Sequence, residues 1–214
     1  MAKASMPSLE DFTQAQTRIS GIAIQTPMLQ SHWLSEQTDS NIWFKCENLQ
    51  RTGAYKLRGA YNMISQLTDE QKARGVVAAS AGNHAQGVAM AARELGIKAT
   101  IFMPVGASLP KYTATVGYGA NVVLTGAIFD ETLKAAKEFT ESSGAVFIPP
   151  FDHEQIIHGQ GTVALEVLEQ FPEVDNIVVC LGGGGLTAGV AAAAKLKAKE
   201  LGKKVKVYAV QAEL

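Results

Sequence analysis

From Gly75 onward the 214-residue chain alternates short apolar runs with longer amphipathic stretches. "VVAAS" (Val76–Ser80) predicts a buried strand, and "HAQGVAMAAREL" (His84–Leu95) follows at helical spacing and stops at Gly96. "ATIFMP" (Ala99–Pro104) is the next strand, followed by a helix near Leu109–Val116 and a strand in "NVVLTG" (Asn121–Gly126). A helix over Asp130–Ser142 takes Asp130 as its N-cap and ends before Gly144, and "AVFIPP" (Ala145–Pro150) returns to strand. A helix near Ile156–Gln170, a strand in "NIVVCLG" (Asn176–Gly182), a helix over Leu186–Leu201 and a strand in "VKVYAVQ" (Val205–Gln211) complete the run. The strand segments are continuously apolar rather than alternating, which predicts helices covering both faces of a sheet. Alternation at these lengths implies parallel strands with right-handed crossovers, so the fold class is α/β with open, twisted parallel sheets. The first 70 residues are less regular: a helix over Leu9–Ile19, a strand in Ile42–Lys45 and a helix after Arg58.

Composition narrows the function classes. Hydrophobic residues at 47% and charged residues at 18% allow a sizeable core and argue against global disorder. A net charge of -1, with Lys and Arg spread along the chain, gives no sign of a nucleic-acid or membrane-surface partner. "MAKASMPSLEDF" has no apolar core of a secretory signal, and the longest apolar stretch, Leu186–Ala194, is too short to span a bilayer. The expectation is a soluble, cytoplasmic protein. Cys46 and Cys180 lack metal-ligand spacing and predict two buried thiols in a reducing compartment.

Three segments carry chemistry. "CLGGGGLTAG" (Cys180–Gly189) puts four glycines between a strand and an alanine-rich helix, so bare backbone N–H groups can turn toward one anion at a helix N-terminus. Gly183, Gly185 and Ala188 also satisfy the G-x-G-x-x-A form of the dinucleotide fingerprint, with Glu213 where a ribose-binding acid could sit. "SAGNHAQG" (Ser80–Gly87) is a second strand-to-helix loop, whose N–H groups from Ala81 to His84 could bind a carboxylate and whose Asn83 adds a neutral donor and acceptor. The bland alternative is that Ser80 and Asn83 cap the helix and His84 is a packed histidine. In "NLQRTGAYKLRGA" (Asn48–Ala60), Lys56 stands between Tyr55 and Leu57 with Arg58 nearby. Desolvation and a neighbouring like charge would both lower its pKa and favour the neutral nucleophile. An amine, a phosphate cradle and a carboxylate cradle together suit pyridoxal 5′-phosphate (PLP) and an amino-acid substrate better than a nucleotide.

"KCENLQRTGAYKLRGA", "SAGNHAQG", "GQGTVALEVLEQ" and "GGGGLTAG", in this order and spacing, resemble the PLP-dependent threonine/serine dehydratases of fold type II, the tryptophan synthase β-like enzymes, from about Ile19 to Glu213. The resemblance implies that Lys56 is the catalytic amine and carries the cofactor, that Tyr55 sits near the pyridine ring and that Asn83 bonds the ring hydroxyl. It implies that Gly182, Gly183, Gly184, Gly185 and Leu186 hold the phosphate, with Ser80, Ala81, Gly82 and His84 around the substrate carboxylate. It further implies a larger domain from residues 1–75 and 150–214, a smaller mobile domain from 76–149, and a homodimer or homotetramer. The activity implied is deamination of L-threonine and L-serine to 2-oxo acids and ammonia, with the released Lys56 amine taking the Cα proton. Serine racemases typically carry a serine where Ala81 stands, which argues for elimination. Two departures stand out. Ala54 and Tyr55 replace the usual Ser-Phe, adding a hydroxyl that needs a partner. Family members also continue past the position of Leu214, into the part that meets the pyridine nitrogen. A nicotinamide-dependent oxidoreductase built on Gly183, Gly185, Ala188 and Glu213, or a non-catalytic ligand-binding remnant, are the alternatives.

Overall fold

The computed structural model describes residues 6–213. The chain opens with α1 (Leu9–Ile19), whose capping box pairs the Ser8 hydroxyl with the Asp11 N–H and the Asp11 carboxylate with the Ser8 N–H. Two elements that the pattern does not announce follow. The strand β1 (Met28–Gln30) pairs antiparallel with β2 (Trp43–Lys45), and α2 (His32–Thr38) lies between them. A three-residue strand is too short to show a period, and α2 buries no residue, so it has no apolar stripe. Next come α3 (Lys56–Ile64) and the short α4 (Asp69–Arg74), which Thr68 and Gln71 cap as a box.

The alternating run is as expected in kind. β3 (Val76–Ala79), α5 (Asn83–Glu94), β4 (Ala99–Met103), α6 (Leu109–Gly117), β5 (Asn121–Leu124), α7 (Phe129–Ser143) and β6 (Val146–Phe147) build a parallel sheet of order β5-β4-β3-β6. Then α8 (Glu154–Gln170), β7 (Asn176–Cys180), α9 (Gly185–Glu200) and β8 (Lys206–Val210) follow, with β7 and β8 paired in parallel. Details differ from the sequence expectation. The N-cap of α7 is Ile128, with no side-chain cap, and Asp130 instead lies in the first turn, where its charge suits the helix dipole. β6 stops after two residues, because Pro149 and Pro150 have no N–H to offer a ladder. Central strands β3 and β4 are buried, but β7 and β8 leave Val178, Tyr208 and Val210 exposed, so their apolar runs do not mean two covered faces here. Cys46 is buried as expected; Cys180 is exposed, because it ends β7 at the edge of the glycine loop.

Packing explains how the elements meet. Leu57, Ala60, Met63 and Ile64 of α3 share one apolar cluster with β3, β4 and α5, while Phe12, α8, α9 and Val179 form another. Large side chains buried this fully contribute about 1.5–3 kcal/mol each. α3 and α8 touch backbone to backbone: a Cβ on Gly159 would stand 2.6 Å from the Arg58 carbonyl oxygen. That contact fixes where α3 begins relative to α8, and α3 begins at Lys56.

Candidate active site

Lys56 is held from several sides. A Cβ on Gly87 of α5 would come within 3.1 Å of the Lys56 carbonyl carbon, so the missing side chain lets α5 press on the lysine backbone. The Lys56 Nζ donates to the Pro150 carbonyl at 2.6 Å and lies 5.5 Å from the centroid of the Tyr55 ring. Burial pushes its pKa below the ordinary lysine value. Arg58 adds nothing to that shift, contrary to the expectation from sequence. Residues two apart on a helix face different ways, and Arg58 points into a buried cluster with Glu47 and Glu166.

The amine and the four glycines face the same space. A pocket of about 270 Å³ is lined, among the described residues, by Tyr55, Lys56, Phe151 and the 180–187 segment. Gly184 has φ +89°, a left-handed conformation that makes the turn from β7 into α9. α9 then starts at Gly185 with no side-chain cap and no acidic residue in its first turn, while Thr187 donates its hydroxyl to the Cys180 carbonyl. The first N–H groups of a 16-residue helix are thus left for an anion. Gly183 and Gly185 have a packing reason to be glycine: the Phe151 ring lies against the first, and a Cβ on the second would stand 2.7 Å from the Phe151 carbonyl oxygen. Gly182 has none, since nothing lies within 4 Å of where its Cβ would be and its φ is not positive. A bare backbone where the protein itself leaves room for a side chain is what a close-fitting phosphate requires, so the residues fit the group.

The second loop is close but does not line this pocket. Ser80, Ala81 and Gly82 connect β3 to α5, and Asn83 and His84 open that helix. Gly82 is the N-cap and no side chain caps α5, so Ser80 and Asn83 are not capping residues. The Gly82 N–H is already taken by the Ser80 hydroxyl at 3.1 Å, which removes one of the donors expected for a carboxylate. Asn83 is exposed. Tyr55 is half-buried, and no buried side-chain polar atom among the described residues lacks a partner, so its extra hydroxyl is met by solvent.

His84 is packed rather than presented. It is 4% exposed, and its ring Nε2 lies 2.9 Å from the Ile148 carbonyl, which can only accept, so that nitrogen carries the proton. Burial, with a smaller push from the Lys56 charge, lowers its pKa to about 4 against the Ile148 hydrogen bond. An unfolded histidine takes its proton near 6.5, so the folded state resists protonation between 6.5 and about 4. Stability present above pH 6.5 should therefore fall by about 2–3 kcal/mol on going down through that window. Urea unfolding of wild type and His84→Gln at pH 7 and 4.5 checks this: the variant should lose less stability on acidification, and parallel losses would refute it.

Sequence reasoning missed the Pro150 carbonyl, Phe151 and Thr187 as parts of the site. The signal was the "PPF" run after a strand, which presents a carbonyl and an aromatic ring at a fixed place.

Comparison with known proteins agrees with this geometry. The profile of the family described as "Pyridoxal-phosphate dependent enzyme" matches residues 19–214. The chain is 50% identical over 208 residues to the L-threonine ammonia-lyase of Thermotoga maritima, covering 97% of this chain and 51% of that protein. Among solved structures, maize serine racemase superposes with a TM-score of 0.91 at 39% identity, covering 96% of this chain and 61% of its own. The processed form of threonine deaminase isoform 2 from Solanum lycopersicum gives 0.86 at 38%, covering 98% and 61%. The chain thus spans about half to three-fifths of the length of these relatives. The dinucleotide reading of Gly183, Gly185, Ala188 and Glu213 is set aside: the family matched is another one, and Phe151 occupies the space beside the first two of those glycines. With a lysine amine facing a tetraglycine anion cradle across one pocket, and a family match over nearly its whole length, the chain belongs to the pyridoxal-phosphate dependent enzymes.

Proposed function

We propose that the chain carries the cofactor-binding part of an L-threonine dehydratase, converting threonine to 2-oxobutanoate and ammonia, and serine to pyruvate and ammonia. The observation that carries this reading is the shared pocket of Lys56 and Gly182–Gly185. The 50% identity to a threonine ammonia-lyase supports the choice of substrate, and Ala81 supports elimination over racemisation.

In this reading Lys56 holds the cofactor covalently, Tyr55 flanks its ring, Asn83 bonds the ring hydroxyl, and Gly182, Gly183, Gly184, Gly185 and Leu186 bind its phosphate. When bound, the cofactor supplies an electron sink for the charge that develops at Cα. Once the substrate amine has taken its place, the freed Lys56 Nζ takes the Cα proton, and the pKa lowered by its burial keeps a larger share of the amine unprotonated. Ser80, Ala81, Gly82 and the backbone N–H of His84 surround the substrate carboxylate, the His84 ring staying packed against Ile148. Since none of them lines the pocket, residues 76–149 act as a smaller domain that closes on the substrate and brings this loop over Lys56. The protein works as a cytoplasmic homodimer or homotetramer.

The test is direct. Incubation with PLP, borohydride reduction and peptide mapping should place a pyridoxyl group on the peptide holding Lys56. The same protein should then be assayed with threonine for 2-oxobutanoate. An adduct only on other lysines would end the cofactor assignment; an adduct on Lys56 without any deamination of threonine or serine would end the substrate assignment.

A further inference from the structure

The strap of residues 148–151 ties together all three parts of the site. It is anchored where the Ile148 N–H donates to the Val77 carbonyl at 2.8 Å, and where the His153 N–H donates to the Phe151 carbonyl at 3.1 Å. His153 in turn caps α8, its Nδ1 accepting the Gln155 N–H. Between these anchors, Pro149 and Pro150 fix two φ angles and offer carbonyls without competing N–H groups. The Ile148 carbonyl accepts the His84 ring N–H, and the Pro150 carbonyl accepts Lys56 Nζ. Phe151 then lays its ring on the α-carbon face of Gly183 and its backbone on Gly185. Phe151 is 38% exposed, lines the pocket and belongs to none of the buried apolar clusters. An aromatic ring kept at the surface of the molecule, against a loop of four glycines, has something other than core packing to do.

Such a loop has no side chains to hold its shape, and glycines lose more conformational freedom on ordering than any other residue. Something outside the loop must restrict it. We infer that Phe151 is a positioning residue: its ring holds Gly183–Gly185 in their anion-binding shape, at a separation from the Lys56 amine set by the proline strap. Phe151 therefore acts on the phosphate end of the cofactor and not on the aldehyde end. The inference rests on the reading of this pocket as the cofactor site and deepens it.

The experiment compares two ligands that share the aldehyde and differ in the phosphate. Wild type, Phe151→Ala and Phe151→Leu are titrated with pyridoxal 5′-phosphate and with pyridoxal, following the absorbance of the lysine-bound aldehyde. Phe151→Ala should weaken the phosphate ester by about tenfold or more and pyridoxal by less than about threefold, with Phe151→Leu between wild type and alanine. Equal weakening of both ligands, or an unchanged affinity for the phosphate ester, would overturn the role. Circular dichroism reports whether each variant is folded, and if the alanine variant is not, the leucine variant carries the same comparison. Wild type that forms no adduct on Lys56 with either aldehyde would bring down the cofactor reading and this inference together. A wild-type adduct with indifferent Phe151 variants would bring down this inference alone.

Discussion

Lys56→Ala should abolish the pyridoxyl adduct on the α3 peptide and lower threonine deamination by about a thousandfold or more, well within the range for losing a positioned base that is also the covalent anchor. Lys56 is the one amine among the residues lining the pocket, so no neighbour can substitute for it. Folding should be little affected. The Nζ makes one hydrogen bond, to the Pro150 carbonyl, and its burial already disfavours the charged form. Lys56→Arg sharpens the test. It keeps a cation within reach of Pro150 but cannot become a neutral nucleophile at any ordinary pH, so it should be as inactive as alanine. Deamination at a normal rate by either variant, measured as 2-oxobutanoate released, would remove Lys56 from the mechanism.

That Lys56 and the tetraglycine run share one site was legible because each is a local motif at an element boundary, and motifs of that kind keep their meaning without tertiary information. The cause of the lysine's lowered pKa was legible only in part: the expected burial is what lowers it, and the expected like charge contributes nothing. Adjacency in sequence suggested Arg58 as a repelling charge, whereas helix geometry turns Arg58 away toward Glu47 and Glu166, acids 11 and 108 residues distant. The same limit hid the strap: that Pro150 offers its carbonyl to Lys56 depends on a contact 94 residues apart. Continuous apolar runs located β3, β4 and β7 equally well, but only the structure separates the covered strands from β7, whose Val178 is 70% exposed. Periodicity reports that a segment is apolar; it cannot report how many faces have neighbours. The fold class and the pairing of Lys56 with the glycine loop were therefore readable, and the long-range polar contacts that hold the site were not.

Arg58 carries the largest expected effect on stability. Its side chain is fully buried, and every one of its five N–H donors has an acceptor. Nε and Nη2 bond the Glu47 carboxylate, both at 2.8 Å; Nη1 and Nη2 bond Glu166 at 2.6 and 2.9 Å; Nη1 also reaches the Thr162 hydroxyl at 3.2 Å. Burial alone would disfavour the guanidinium's charge, but the hydrogen bonds it donates to Glu47 and Glu166 hold its pKa above the ordinary range. Arg58→Ala should destabilise the fold by about 3–5 kcal/mol, because it leaves two largely buried carboxylates with only Lys45 as a neighbouring cation. The two acids are not equivalent afterwards. Glu166 keeps Lys45 at 2.6 Å, whereas Glu47 keeps only the Thr26 hydroxyl. Neutralising the orphan should therefore help: Glu47→Gln should destabilise wild type but restore about 1–2 kcal/mol to the Arg58→Ala background. Urea unfolding of the four proteins measures the cycle. Additive losses, or a loss below about 1 kcal/mol for Arg58→Ala, would show that the cluster is indifferent to its own charge balance.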